Sequence, residues 1–279
     1  MSELAHVTLN LSNKAENVLL VRQALAGLAE TIGLDALELN DISTAVSEAC
    51  NNVVVHAYAG AEGPLEVEVF AAGEPLEVIV RDHGEGITPH ERDPEETVGG
   101  IGLPVIRALS DTVTFRDLDG GGTEVRMAFV TAKAGTLPRM HRNGATAELP
   151  AQPAQPDTTT VTIGPPPLAR TVLPRILCAL AARAHFSTDR ISDTQLLADA
   201  LAAHAEGSNS SGRITVAVGV APRDLQLRVG PLPEGFADEL LSGATVHPSG
   251  SVLTQLTDGH EISSQGPSEL LGLRLSARR

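Results

Sequence analysis

The spacing of apolar side chains near the start of the chain predicts strands and helices in alternation. Residues 7–11 alternate apolar and polar positions, as a half-buried strand does. Apolar residues every three or four positions then predict a helix that ends at Gly33, and a second such run predicts a helix from Asp41 to His56. The buried positions expected on these helices are Val18, Val21, Leu25, Leu28, Ile32, Ile42, Ala45, Ala49 and Val53.

Further elements follow in chain order up to about residue 130. They are strands at 65–70 and 76–81 joined by a turn at Gly73 and Pro75, a loop at 84–102, a helix at 103–110, and strands at 112–117 and 123–130 around Gly120-Gly121-Gly122. Residues 134–158 are rich in Pro, Ala, Thr and Gln, which indicates a linker. This organisation predicts a domain at 1–133, the linker, and a second domain at 159–279.

The second domain repeats the pattern of the first at a nearly fixed distance. Ile42 corresponds to Ile191, and the strand pair 65–70 and 76–81 returns 149 residues later at 214–219 and 225–229. The segment 105–111 falls on 252–258 at an offset of 147. A constant register over about a hundred residues predicts two copies of one unit. The alternative is chance similarity between two segments rich in Ala, Leu and Val.

Composition narrows the function. The 279 residues carry 35 acidic and 20 basic side chains, a formal net charge of −15, which disfavours direct binding of nucleic acid. Such charge also serves solubility. Cys50 and Cys178 are typical of isolated thiols in a reducing compartment. With neither a signal-like start nor an apolar run of membrane length, we expect a soluble, cytoplasmic protein that binds no membrane.

Three clusters in the first half carry possible chemistry. Glu48 and Asn52 lie one helical turn apart, and an amide oxygen beside a carboxylate suits a magnesium–phosphate site. Asp82 ends an apolar strand and is followed by Gly84 and Gly86, so its carboxylate could accept a hydrogen bond from the exocyclic amine of adenine. The glycine-rich segment 99–109 leads into a helix whose N-terminus favours phosphate. Each cluster alone has an ordinary structural explanation.

In this order the clusters resemble the GHKL ATPase superfamily. The segment 47–58 (SEACNNVVVHAY) resembles its N box, 82–87 (DHGEGI) its G1 box, 99–103 (GGIGL) its G2 box, and 120–127 (GGGTEVRM) its last motif. The compact spacing is most similar to the anti-sigma factor serine/threonine kinases of bacteria. The resemblance implies an α+β fold, a two-layer α/β sandwich of the GHKL (Bergerat) type with a largely antiparallel sheet, which the repeat would place in tandem.

The resemblance also implies roles for individual residues. Glu48 would be the general base, Asn52 would bind Mg²⁺, and Asp82 with Thr123 nearby would hold adenine. The nucleotide would further contact Gly84, Gly86, Gly100, Gly102 and Leu103, under an ATP lid at 88–102. Many members have a basic residue just before the second glycine box, whereas here the nearest upstream base is Arg92, so slow turnover is expected.

The resemblance implies an ATP- and Mg²⁺-dependent kinase that binds a sigma factor and phosphorylates its anti-sigma factor antagonist, thereby regulating transcription. One alternative is a non-catalytic ATP-dependent module that holds the sigma factor, and another is a histidine kinase catalytic domain. In the second copy the site positions become Leu197, Leu201, Pro231 and Pro233, with Gly235 retained. That copy is expected to have lost ATP binding and to serve as a docking surface or in place of a dimer partner; the whole chain could also form a homodimer.

Overall fold

The computed structural model describes residues 3–4, 6–84, 102–131, 137–141, 158–208, 212–242, 251–265 and 268–277. The chain divides into two compact units. One unit comprises residues 4–140, and the other comprises 141–279 together with the first three residues. Most of the predicted linker lies outside the described residues. A two-residue strand, Met140–His141, lies within its range, and another, Glu3–Leu4, lies near the start of the chain.

The first unit is an antiparallel sheet with a layer of helices. Its elements are β1 (Val7–Ser12), α1 (Val18–Ile32), α2 (Ala36–Asn52), β2 (Pro64–Phe70), β3 (Leu76–Asp82), α3 (Gly102–Leu109), β4 (Thr112–Asp117) and β5 (Thr123–Phe129), with a short 3₁₀ turn at Ala15–Asn17. The strand order is β1-β2-β3-β5-β4, and every described pair is antiparallel. Helix α2 packs on α1, α3 and strands β3 and β5. The fold class expected for this unit is thereby confirmed.

Alternation of apolar and polar residues sets the faces of this sheet. Leu65, Val67 and Val69 are fully buried, while Glu66 and Glu68 between them remain partly exposed. Helix α1 buries the predicted stripe and ends as predicted at Gly33, whose φ of 76° suits a residue without a Cβ. The core positions predicted for both helices are therefore confirmed.

Helix α2 differs from its prediction at both ends. It begins five residues earlier, because the Asp35 carboxylate accepts hydrogen bonds from the amides of Leu37 and Glu38, each at 2.8 Å, while Glu38 accepts from the Asp35 amide at 2.9 Å. It ends at Asn52 and continues as one π-helical turn, Val53–Ala57. Wider turns of this kind are frequent at functional sites.

The second unit contains its own sheet and helices. Its elements are β6 (Thr158–Ile163), α4 (Pro166–Arg183), α5 (Thr188–Ser208), β7 (Ile214–Ala221), β8 (Asp224–Pro233), α6 (Phe236–Ser242), α7 (Val252–Leu256), β9 (Gly259–Gln265) and β10 (Ser268–Ser276). The strand order is β6-β7-β8-β10-β9, with antiparallel pairs throughout the described part. Helix α5 packs on α4 and α7.

The central hairpins of the two units share one register. In the first unit Val67 lies opposite Val80, and in the second Val216 lies opposite Val229, each residue 149 positions further along the chain. Helix α7 occupies the segment 147 residues after the last five residues of α3. The offsets read in the sequence therefore coincide with elements of the same kind.

Candidate functional site

Glu48 and Asn52 meet the start of helix α3. Both side chains lie on the last turns of α2 and remain partly exposed. The backbone of Gly102 approaches them so closely that a Cβ at this position would lie 3.1 Å from Oε2 of Glu48 and 3.4 Å from Oδ1 of Asn52. A side chain at this position would therefore crowd both oxygens. The structure thus brings together three of the residues that the sequence singled out.

Asp82 is buried at the end of strand β3. Its side chain is 2% exposed, and its Oδ1 accepts a hydrogen bond from the Gly84 amide at 2.9 Å. The Thr123 amide donates to the same carboxylate. Burial raises the pKa of Asp82 above its ordinary value, and the two amides oppose that rise without cancelling it. A buried carboxylate oriented by backbone amides can accept a hydrogen bond from a flat amine-bearing ligand.

The glycine turn before strand β5 is required by this geometry. Gly122 has a φ of 98°, and a Cβ there would lie 2.1 Å from the backbone oxygen of Asp82. Strand β5 can therefore begin against the end of β3 only because this position lacks a side chain. The sequence indicated a turn at Gly120-Gly121-Gly122, but it gave no reason to single out Gly122.

The π-helical turn after α2 connects the two groups of residues. A Cβ at Gly84 would lie 1.9 Å from the carbonyl oxygen of Ala57, so the backbone after Asp82 runs directly against the end of this turn. Next to it, the Tyr58 hydroxyl accepts a hydrogen bond from the His83 amide at 2.8 Å and donates one to the Pro64 carbonyl. The helix that carries Glu48 and Asn52 is thereby packed, through this turn, against the strand end that carries Asp82.

A charged cluster fixes the same end of β3 on the opposite face of the sheet. Arg81 donates to Glu68 at 2.6 Å and to Glu124 at 2.7 Å, which joins three adjacent strands. Burial would raise the pKa of Glu124, but the hydrogen bond and charge of Arg81 hold it below its usual range. Because side chains alternate along a strand, fixing Arg81 also orients Asp82 toward the helix layer.

The remaining predicted site residues are less fully described. Leu103 follows Gly102 on α3, and its side chain is exposed. Gly86, Gly100 and Arg92 lie outside the described residues, as does the predicted lid apart from Gly102. Cys50 and Cys178 are both free thiols. Burial raises the pKa of Cys50 to about 12, which makes it unreactive.

The matching positions of the second unit have a different character. Leu197 and Leu201 are both buried in its core, whereas Glu48 and Asn52 are partly exposed. The pair Val229–Leu271 corresponds to the pair Val80–Val125 of the first unit. The buried Glu269 precedes Leu271 by two residues, as Thr123 precedes Val125, so it occupies the position of Thr123.

The Glu269 carboxylate has internal partners. It accepts hydrogen bonds from the backbone amides of Gly235, at 2.9 Å, and Ala237, at 3.2 Å. These amides lie at the start of helix α6. The Glu269 side chain therefore satisfies the backbone donors of the turn that follows strand β8.

Comparison with known proteins now gives these features a context. The model of the histidine kinase-like ATPase domain matches residues 11–129. The chain is 32% identical over 127 residues to the anti-sigma F factor of Thermoanaerobacter sp. (strain X514), an alignment that covers 43% of this chain and 89% of that protein. This chain belongs to the anti-sigma kinase family of GHKL ATPases.

Other relatives of the same family carry kinase names. The serine-protein kinase RsbW of Bacillus licheniformis is 36% identical over 123 residues, covering 39% of this chain and 76% of the relative. That of Listeria innocua serovar 6a is 36% identical over 140 residues, covering 46% and 88%. The family assignment confirms the resemblance found in the sequence and identifies the first unit as its ATP-binding domain. Among the described helices, none is long and apolar enough to cross a membrane.

Proposed function

We propose that the first unit is an ATP-dependent serine/threonine protein kinase within an anti-sigma factor. The observation that carries this proposal is the convergence of Glu48 and Asn52 on Gly102, continuous with the buried Asp82 carboxylate. Asp82 and Thr123 would hold the adenine, and the start of α3 would face the phosphates. Relatives named anti-sigma F factor and serine-protein kinase support the same assignment.

In the proposed reaction, Glu48 acts as a general base. A serine or threonine hydroxyl of the protein substrate gives its proton to the Glu48 carboxylate while its oxygen bonds to the γ-phosphorus of ATP. The bond between that phosphorus and the β–γ bridging oxygen breaks, and ADP leaves with its electron pair. Glu48 is partly exposed and lies beside Gly102 at the start of α3, where the phosphates are proposed to bind.

Asn52 is proposed to hold the magnesium ion. Its amide oxygen is a hard donor of the kind that Mg²⁺ prefers, and it lies beside the start of α3, where a Cβ at Gly102 would come within 3.4 Å of it. Bound there with ATP, Mg²⁺ would neutralise charge on the phosphates. The chain's own contribution is to hold the Asn52 amide and the Glu48 carboxylate one helical turn apart on α2.

The proposed substrate is an anti-sigma factor antagonist, and the proposed second partner is a sigma factor. Phosphorylation adds close to two negative charges to the antagonist. Because the chain has a formal net charge of −15, the phosphorylated antagonist would be repelled and released. The anti-sigma factor would then be free to hold its sigma factor, which is a partner-switching mode of transcription regulation.

The second unit is proposed to be a degenerate copy of the first. The support is the shared strand order and the hairpin register at an offset of 149 residues. Leucines at the positions of the base and the magnesium ligand would leave it without nucleotide binding. We propose that it serves as a docking surface or in place of a second subunit.

The kinase proposal is tested with Glu48→Gln in the full chain. Antagonist proteins are incubated with γ-labelled ATP, and ATP affinity is measured by calorimetry. Glutamine keeps the size of the side chain but cannot take the proton, so transfer should fall at least about a hundredfold while ATP affinity stays within about threefold. Glu234→Gln, an exposed carboxylate in the second unit, is the matched control and should change neither.

Two outcomes would oppose the proposal. Unchanged transfer by Glu48→Gln would exclude Glu48 as the base. If the wild-type chain captured a sigma factor in the presence of a non-hydrolysable ATP analogue, yet no antagonist were ever phosphorylated, the chain would be a nucleotide-dependent binding module instead of a kinase.

A further inference from the structure

Tyr58 joins the end of helix α2 to the strand that carries the adenine-binding carboxylate. It is the only tyrosine in the chain and follows directly after the π-helical turn Val53–Ala57. Its ring lies against Gly63, where a Cβ would come within 2.2 Å of Cε1. The ring therefore packs directly on the Gly63 backbone, and this contact helps to place the hydroxyl.

The hydroxyl serves two backbone groups that are far apart in sequence. It accepts from the His83 amide at 2.8 Å and donates to the Pro64 carbonyl at the start of β2. Phenylalanine would keep the ring against Gly63 but leave both backbone groups without this partner. Loss of the hydroxyl would free the backbone at His83, the residue between Asp82 and Gly84.

This backbone segment orients the Asp82 carboxylate. The Gly84 amide donates to Oδ1 of Asp82 at 2.9 Å, and the path of Gly84 is limited by its contact with the Ala57 carbonyl. A shift at His83 moves the Gly84 amide and with it the direction of the carboxylate lone pairs. Hydrogen bonds weaken steeply with misalignment, so recognition of an amine by Asp82 depends on this anchor.

We propose that Tyr58 is a positioning residue that sets the preference of the nucleotide pocket for adenine, acting through His83 and Gly84 on Asp82. The inference rests on the proposed adenine contact of Asp82. It assigns selectivity for adenine to a side chain that acts on Asp82 only through the backbone of His83 and Gly84.

The test compares ATP with ITP, which has an oxygen in place of the exocyclic amine. Affinities of both are measured by calorimetry for the full wild-type chain and Tyr58→Phe. We expect the preference for ATP over ITP to fall about three- to tenfold, through weaker ATP binding, because one hydrogen bond is misaligned. Thr31→Val is the control. It removes a hydroxyl that bonds to the Gly27 carbonyl at 3.0 Å on helix α1, and it should leave the ATP:ITP ratio unchanged.

A ratio equal to wild type in folded Tyr58→Phe would overturn the inference, whatever the change in melting temperature, because a purely structural role lowers stability without altering base preference. If the wild-type chain bound ATP and ITP equally, or bound neither, the proposed adenine contact would fail together with the inference. A wild-type preference for ATP that survives the substitution would overturn the role of Tyr58 alone.

A second measurement avoids dependence on a variant that folds. Because Tyr58 is the only tyrosine, growth on 3-fluorotyrosine labels this site alone. We expect the fluorine resonance to shift on saturation with ATP and to shift distinctly less with ITP, since only ATP engages Asp82 through an amine. Equal shifts with both nucleotides would contradict the inference.

Discussion

The two units share their strand order and hairpin register but differ at the positions that would contact a nucleotide. In the first unit Glu48 and Asn52 are partly exposed and lie beside Gly102. In the second, Leu197 and Leu201 point into the core and are almost completely buried. The apolar positions that make the sheet and its helices are thus separable from the few polar positions that make a site.

The two units also differ in the hydrogen bonds of the turn that follows the central hairpin. Asp82 is buried and held by the amides of Gly84 and Thr123, which leaves it able to accept from a ligand. At the position of Thr123 the second unit has Glu269, which accepts from the amides of Gly235 and Ala237. One unit therefore has a buried carboxylate that we propose accepts from a ligand, whereas the other satisfies its turn internally.

Placing a carboxylate in the second unit, at the position that matches Glu48, should give the largest effect. Leu197→Glu would bury an uncompensated charge at a position that is 0% exposed, and we expect a loss of at least about 3–5 kcal/mol in the free energy of unfolding. Leu196→Glu, one residue earlier but 54% exposed, should change stability by less than about 0.5 kcal/mol. Urea unfolding followed by circular dichroism measures both. Equal effects of the two substitutions would contradict the burial of Leu197, which distinguishes this position from the partly exposed Glu48.

Filling the glycine turn of the first unit should also destabilise the chain. Gly122→Ala would place a Cβ 2.1 Å from the Asp82 backbone oxygen at a φ of 98°, so we expect a loss of about 2–3 kcal/mol. Gly120→Ala has a similar φ of 110° but meets nothing within 4 Å, and should cost about 1 kcal/mol. Thermal unfolding of both variants isolates the steric contribution. A Gly120→Ala variant that is as unstable as Gly122→Ala would show that backbone strain alone is responsible.

Asn52→Ala should weaken ATP binding in the presence of Mg²⁺ by at least about tenfold, or 1.4 kcal/mol, because the proposed cation ligand is lost. Leu201→Ala at the matching position of the second unit should instead leave ATP affinity unchanged and destabilise the core by about 2–5 kcal/mol. Calorimetry measures the ATP affinity of both variants, and urea unfolding measures their stability. Weaker ATP binding by folded Leu201→Ala would contradict the assignment of the site to the first unit.

The smallest effect concerns pH. Because the pKa of Asp82 is raised in the folded chain, folding favours its protonated form, and this stabilisation is lost as pH rises through the raised pKa. Asp82→Asn removes that dependence. The melting temperature of the variant minus that of the wild type should therefore become more positive between pH 3 and pH 7. A difference that is constant or becomes more negative over this range would contradict the raised pKa.

Periodicity was sufficient to predict the strands and helices of the first unit. The stripe of α1 and the alternation in β2 follow directly from which residues are apolar. The start of α2 was predicted too late, because apolar spacing does not register a cap made by Asp35 and Glu38. Capping depends on hydrogen bonds to amides, and it extends a helix beyond its apolar stripe.

The site was predictable in its residues but not in its contacts. Motif order singled out Glu48, Asn52 and Asp82, and the structure joins them through contacts between distant backbone segments. The bond of Tyr58 to His83 spans 25 residues, and the approach of Gly84 to Ala57 depends on a π-helical turn. Neither follows from local spacing, because both require that the helix and the strand have already packed together.

The central claim is that one unit binds ATP and the other has lost the ability to do so. Its most direct test is titration of the full chain with a non-hydrolysable ATP analogue and Mg²⁺ by calorimetry, with Asn52→Ala measured in parallel. The account predicts one site per chain in the wild type and strongly weakened binding in the variant. Two sites per chain, or an Asn52→Ala variant that binds as tightly as the wild type, would contradict it.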